Sequence, residues 1–178
     1  MAFDRTRTAR GALAGAVAAA VWAAQQPLDK RVFGVDYDDA ELLGRFIARG
    51  RAGYAAGVAA HVVNGAAFGA LYANVAPALP GPRWLRGPLA GLAEHLATWP
   101  ATALSTRMPG WSSLPPLWGS WPAFAQATWR HVLFGTVLGE VERRLNPAEA
   151  EAAPMDDATA STNGHGRTED MAVSAEPQ

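Results

Sequence analysis

Three histidines sit at the ends of glycine ridges. His61, Gly65 and Gly69 recur at every fourth residue, as do His131, Gly135 and Gly139, while Gly87, Gly91 and His95 show the same spacing in reverse order. Steps of four place each set on one face of a helix. If the helix carrying His95 runs opposite to the other two, all three imidazoles fall on the same side of the ridges, about 10–15 Å from one end of the bundle. Ala19 takes the matching place in the first segment. Three neutral imidazoles at one level could hold a metal ion with an open position for water or substrate, with Glu94 or Asn64 nearby. Facing histidines are also how helical bundles hold haem. The same set could relay protons, carry a solute, or hydrogen-bond between helices with Asn64 and Gln126 as internal glue. The glue reading is preferred, because a histidine inside a helix bundle is most often a satisfied packing residue.

Glu94 and Arg130 are expected at similar depth on consecutive antiparallel helices. Either charge alone is costly in an apolar medium, so the sequence predicts that they pair. At the end of the first segment, Gln25-Gln26-Pro27-Leu28-Asp29-Lys30-Arg31 sets amides and charges against a proline, as a helix stop or, less favoured, a gate. Several chemistries lack their residues. With no cysteine there is no disulfide, thiolate site or Cys nucleophile. No phosphate-cradling glycine loop, Ser/His/Asp order or HExxH stands out, and no basic and aromatic stripe suits nucleic acid. The balance leans away from an enzyme.

The elements that position these residues are four apolar segments, about 11–27, 54–76, 84–104 and 121–142, each near the roughly 20 residues that span a bilayer. The first is short unless Arg10 and Gln25 snorkel. Leu42, Leu43, Phe46 and Ile47 recur at helical spacing within residues 38–49, which suggests a helix lying on an interface. Trp84, Trp99, Trp111, Trp118 and Trp121 fall at segment ends or in the loop with Pro109, Pro115 and Pro116, as an aromatic belt would. Each segment carries a Gly-x-x-x-Gly: Gly11/Gly15, Gly65/Gly69, Gly87/Gly91 and Gly135/Gly139. Glycine ridges let backbones approach closely, which drives helix association in lipid.

RGALAG at 10–15 matches RGPLAG at 86–91, and HVVNGAAFG at 61–69 matches HVLFGTVLG at 131–139. These matches suggest that segments 1–2 duplicate segments 3–4, giving two hairpins of the same orientation. A duplication also argues that residues 1–24, which otherwise resemble a secretory signal, form a retained helix.

The 178 residues suit one domain. Only 17% are charged, below the ~25% usual for soluble domains. The net charge of -1 averages a body of +5 (1–145) and a tail of -6 (146–178). The tail has few large apolar residues and is expected to be disordered. Of 15 bases only Lys30 is lysine, a bias that fits high-GC coding. Counting bases by side with both termini inside gives seven against six, so the positive-inside rule barely decides. Cytoplasmic termini are chosen because an acidic tail and an Arg-rich start are easiest to leave untranslocated.

QQPLDKR (25–31), HVVNGAAFG (61–69), AEHLATWP (93–100) and ATWRHVLFG (127–135) resemble small, uncharacterised four-helix inner-membrane proteins of high-GC bacteria. The resemblance covers roughly residues 10–145 and implies fold and location, with no activity attached. The sequence therefore predicts an all-α bundle of four transmembrane helices in two tandem hairpins, with one interfacial helix and a disordered acidic tail. Its partners would be the lipid bilayer and a second copy or another membrane protein, with no nucleic acid. A non-enzymatic scaffold with a structural His/Glu/Arg cluster is the leading function. A metal- or haem-binding or translocating protein is the alternative, and a soluble or secreted helical protein is the third reading.

Overall fold

A computed structural model describes residues 4–45, 47–48, 50–107 and 115–147, with main chain only at 105–107. Every regular element there is helical. The tail beyond 147, expected to be disordered, lies outside the described residues, as do Phe46, Trp111 and Pro109.

Helix α1 spans Arg5–Phe33. Its alanine-rich sequence has high helix propensity, and Asp4 caps it by accepting from the Thr6 and Arg7 amides at 2.8 and 3.1 Å. The expected stop at Pro27 is overridden. Proline removes one backbone hydrogen bond, yet the helix continues to Gly34, whose positive φ of 67° ends it. Its 29 residues reach about 44 Å, well beyond a hydrocarbon core.

Helix α2 (Asp39–Gly44) is shorter than the expected 38–49 helix and docks on the next helix. Its glycine is the reason. Gly44 meets Gly53 and Gly57 so closely that a Cβ would overlap their backbone. Helix α3 (Gly50–Val75) ends in a 3₁₀ turn at Ala76–Ala78. Helix α4 (Arg83–Thr98) stops before the predicted 104, because Pro100 cannot donate to the ladder; a 3₁₀ segment continues over Trp99–Arg107. Helix α5 (Trp121–Leu145) has Ser120 as its N-cap, with Pro122 in the first turn.

The predicted glycine ridges make the closest contacts. Gly11 and Gly15 face Gly69 and Gly65 between α1 and α3, while Gly87 and Gly91 face Gly135, Gly139 and the His131 carbonyl between α4 and α5. Two antiparallel helix pairs result. They join through α1 against α5, which leaves α3 and α4 on the flanks. The apolar core at that junction holds Ala14, Ala18, Trp22, Tyr72, Phe134 and Leu138.

Candidate functional site

The predicted polar cluster divides in two, because consecutive residues on α5 point about 100° apart. Gln126 and Arg130, one turn apart, face α1. His131 faces α4.

The first half is an ionic lock. Arg130 is fully buried and grips Asp29 with two hydrogen bonds, Nε to Oδ2 at 2.7 Å and NH2 to Oδ1 at 2.6 Å. Its remaining nitrogen donates to Asp39 at 2.8 Å, and NH2 also reaches the Tyr37 carbonyl at 2.9 Å. The guanidinium carbon lies 5.2 Å from the centre of the Tyr37 ring. Gln126 donates to Asp29 (2.8 Å) and to the Val35 carbonyl (3.1 Å). Gln25 holds the other Asp29 oxygen at 2.6 Å and accepts from the Trp129 indole at 3.1 Å. Asp39 also accepts from the Trp22 indole at 3.0 Å and from the Tyr37 hydroxyl. A bidentate Arg–carboxylate pair with further hydrogen bonds to both partners is the form in which a buried ion pair is tolerated.

The expected Glu94–Arg130 pair is therefore corrected. Arg130 belongs to Asp29 and Asp39, and Glu94 pairs with His131 at 2.8 Å. Tyr37 is buried, and this burial together with the Asp39 carboxylate pushes its phenol well above the ordinary tyrosine range. Burial works against the Lys30 ammonium, but hydrogen bonding to Asp36 and the Asp38 charge outweigh it and raise the group. Lys30 lies 3.0 Å from Asp36 and 3.3 Å from Asp38.

The second half is a cavity of about 380 Å³ lined by His61, His95, His131, Glu94 and Asn64 together with Trp22, Tyr37, Phe68, Trp99 and Phe134. All three histidines line this one cavity, but they do not converge. The Trp22 indole stands between His61 (ring centres 5.1 Å apart) and His131 (4.7 Å). His95 stacks on His131 at 4.7 Å. Among the described residues no three His, Cys, Asp or Glu side chains are placed to hold a metal ion, so the proposed His61/His95/His131 metal site does not form in this arrangement.

Hydrogen bonding fixes much of the proton arrangement. His131 Nδ1 lies 2.7 Å from the Ala127 carbonyl, which only accepts, so Nδ1 carries a hydrogen. Thr128 gives its hydroxyl hydrogen to the Phe124 carbonyl (2.8 Å), which makes it the acceptor for His95 Nε2 at 3.0 Å. His61 is buried, and its Nε2 has no partner among the described residues.

A further polar knot closes the opposite end. Arg7 donates to Glu142 (3.3 Å) and to the Ala73 carbonyl (2.6 Å), and Asn146 donates to Glu142 at 3.2 Å. Sequence reasoning missed Asp29, Asp39, Trp22, Tyr37 and Glu142. One signal for Asp29 was available: it follows Gln25 by four residues and so shares its helix face. No family model, curated protein or solved structure matches this chain.

Proposed function

We propose that this chain is a multi-pass protein of the bacterial inner membrane, with four spans in two duplicated hairpins and both termini cytoplasmic. In this reading it serves as a non-enzymatic scaffold or assembly partner, and its buried charges hold the helices in register. The observation that carries the reading is an inverted distribution of side chains. The largest fully buried ones are Arg130, Leu138, His95, Gln126 and Asp29, whereas Val63, Leu89, Trp84 and Trp121 are 53–74% exposed. A water-soluble fold places charges outside and branched apolar residues inside. The reverse suits a bundle solvated by lipid, where small residues and polar contacts supply the packing.

Among the described residues one stretch, Gly50–Ala78, is long and apolar enough to cross a membrane unaided, and 22% of its most apolar window is buried. The core helix of a soluble protein would be mostly buried. The other three segments carry charges whose cost is offset inside the bundle: Asp29 and Arg130 by each other, Glu94 by His131. Matching glycines at both hairpin contacts support the duplication, and Trp84, Trp118 and Trp121 are exposed at helix ends as an aromatic belt requires. Trp99 departs from the belt by packing against His95 and Phe124.

Alkaline carbonate washing of membranes is the direct test. The protein is expected to stay in the pellet, and release into the supernatant would end the reading. Because the chain has no cysteine, single cysteines placed at Arg10, Arg51, Gly81 and Ser120 report sidedness without background. Labelling by an impermeant maleimide should occur from outside at 51 and 120 and only after permeabilisation at 10 and 81.

A further inference from the structure

Helices α3 and α4 flank a cleft whose floor is α1 and α5. At one end lies the imidazole cavity. At the other lies a mainly apolar cavity of about 430 Å³ lined by Leu71, Val75, Leu79, Leu89 and Ala93, with Arg86 at its edge donating to the Ala76 and Gly81 carbonyls. Phe68 lines both, so the two lie end to end along α3 with this one side chain between them. From His61 to Val75 the cleft extends about 20 Å along α3. Its shape is that of a site for an amphipathic molecule, polar at one end and apolar at the other.

Charge selects the head. Two carboxylates, Glu94 and Asp39, line the polar limb, and among the described residues no lysine or arginine does. Glu94 pairs with His131 yet retains about a third of its side-chain exposure there, while the nearby guanidinium of Arg130 is shared between Asp29 and Asp39. The wall between the carboxylates is aromatic, with Trp22, Trp99, Phe68 and Phe134. Aromatic faces beside carboxylates attract organic cations, and the carboxylates repel a phosphate or carboxylate head. Among the described residues two buried side-chain polar atoms lack a partner, His61 Nε2 and Gln126 Oε1, and the His61 nitrogen is the one whose residue lines this wall. A neutral imidazole nitrogen can serve an ammonium N–H as acceptor.

We propose that the α3/α4 cleft binds an amphipathic organic cation, with its amine or quaternary ammonium head among Glu94, Trp22 and Trp99 and its apolar tail past Phe68 toward Leu89. The cleft opens at the surface in detergent as well as in lipid, so the proposal stands apart from the membrane reading.

The test uses the full chain in a non-ionic detergent and two fluorescent rods of equal length, trimethylammonium-diphenylhexatriene and its propionate counterpart. Energy transfer from tryptophan is read against protein-free micelles. The cationic rod should bind saturably, Glu94→Gln should weaken it at least tenfold, and the anionic rod should show no saturable signal. Ala93→Trp, which fills the apolar limb and leaves the charges untouched, should also weaken the cationic rod severalfold. Equal binding of both rods, or unchanged binding in both variants, overturns the proposal. If Glu94→Gln fails to fold, as judged by helicity and gel filtration, the comparison of rods and the Ala93→Trp result decide on their own.

Discussion

Arg130 satisfies two carboxylates and a carbonyl at once, so its loss leaves two carboxylates without their cation, whereas the loss of either carboxylate leaves the guanidinium the other. Removing one member of a buried ion pair typically costs 3–5 kcal/mol. Arg130→Leu should fall at or above the top of that range and abolish folded yield, while Asp39→Asn should cost less, because Asp29 still holds the guanidinium. Glu94→Gln should be mild, since Glu94 is partly exposed and has only His131 to lose. Detergent melting curves would rank the three, and a Glu94→Gln more damaging than Arg130→Leu would contradict the assignment of partners. Tyr37 and Lys30 predict a second behaviour. Both are raised in the folded state, so the folded chain retains protons that the unfolded chain releases near pH 10. Their contribution is complete below about pH 10 and is lost as the pH climbs through the folded values. Tyr37→Phe should lose about 1 kcal/mol at neutral pH with its hydrogen bond to Asp39 and show a flatter alkaline branch. A branch as steep as that of the parent protein would place the alkaline weakness elsewhere.

At the scale of elements, the hairpins are set by backbone contact. A Cβ on Gly15 would overlap the Gly65 carbonyl, and one on Gly135 would overlap the Gly87 carbonyl. A backbone neighbour cannot rotate away, so Gly15→Ala and Gly135→Ala should each cost about 1–3 kcal/mol, and leucine at either position more. At Gly139 the nearest atom is 3.1 Å away, so Gly139→Ala should be the mildest of the series. Equal melting temperatures for all three alanine variants would show that the helices slide apart freely. These glycines were legible in the sequence because a four-residue repeat fixes a face whatever the tertiary fold. Helix pairing was legible for the same reason. The partner of Arg130 was not. Side-chain type and estimated depth cannot say which way residue 130 points, and one step from 130 to 131 changes the neighbouring helix from α1 to α4. The continuation of α1 past Pro27 was hidden as well, because the lock that rewards it is assembled from residues about a hundred positions away.

On the scale of the whole molecule, two clamps of opposite sense tie the hairpins together. Near its start α1 carries a cation, Arg7, for Glu142 of α5; near its end it carries an anion, Asp29, for Arg130. Sliding α1 along α5 in either direction breaks both, so together they define one register. The link between hairpins through Leu79-Pro80-Gly81-Pro82 is then dispensable once the clamps have closed. Gly81 is exposed with a positive φ of 83° and open space around it, so a protease site inserted there should be cut without disturbing either hairpin. The two halves should co-purify after cleavage, and Arg130→Gln should let them separate in mild detergent. Separation of the cleaved parent protein would mean that the linker, rather than the clamps, holds the hairpins together.

The lock also has a history within each molecule. Asp29 and Asp39 emerge from the ribosome about 101 and 91 residues before Arg130, which at about 5–20 residues per second is a wait of several seconds. Throughout that interval the first hairpin holds two acids with no guanidinium to neutralise them. The segment bearing them must stay hydrated until the last helix arrives. Chains that stop before α5 therefore carry an exposed acidic mark of incompleteness, and chains that finish erase it. Quality control could read that difference without recognising any other feature of the protein.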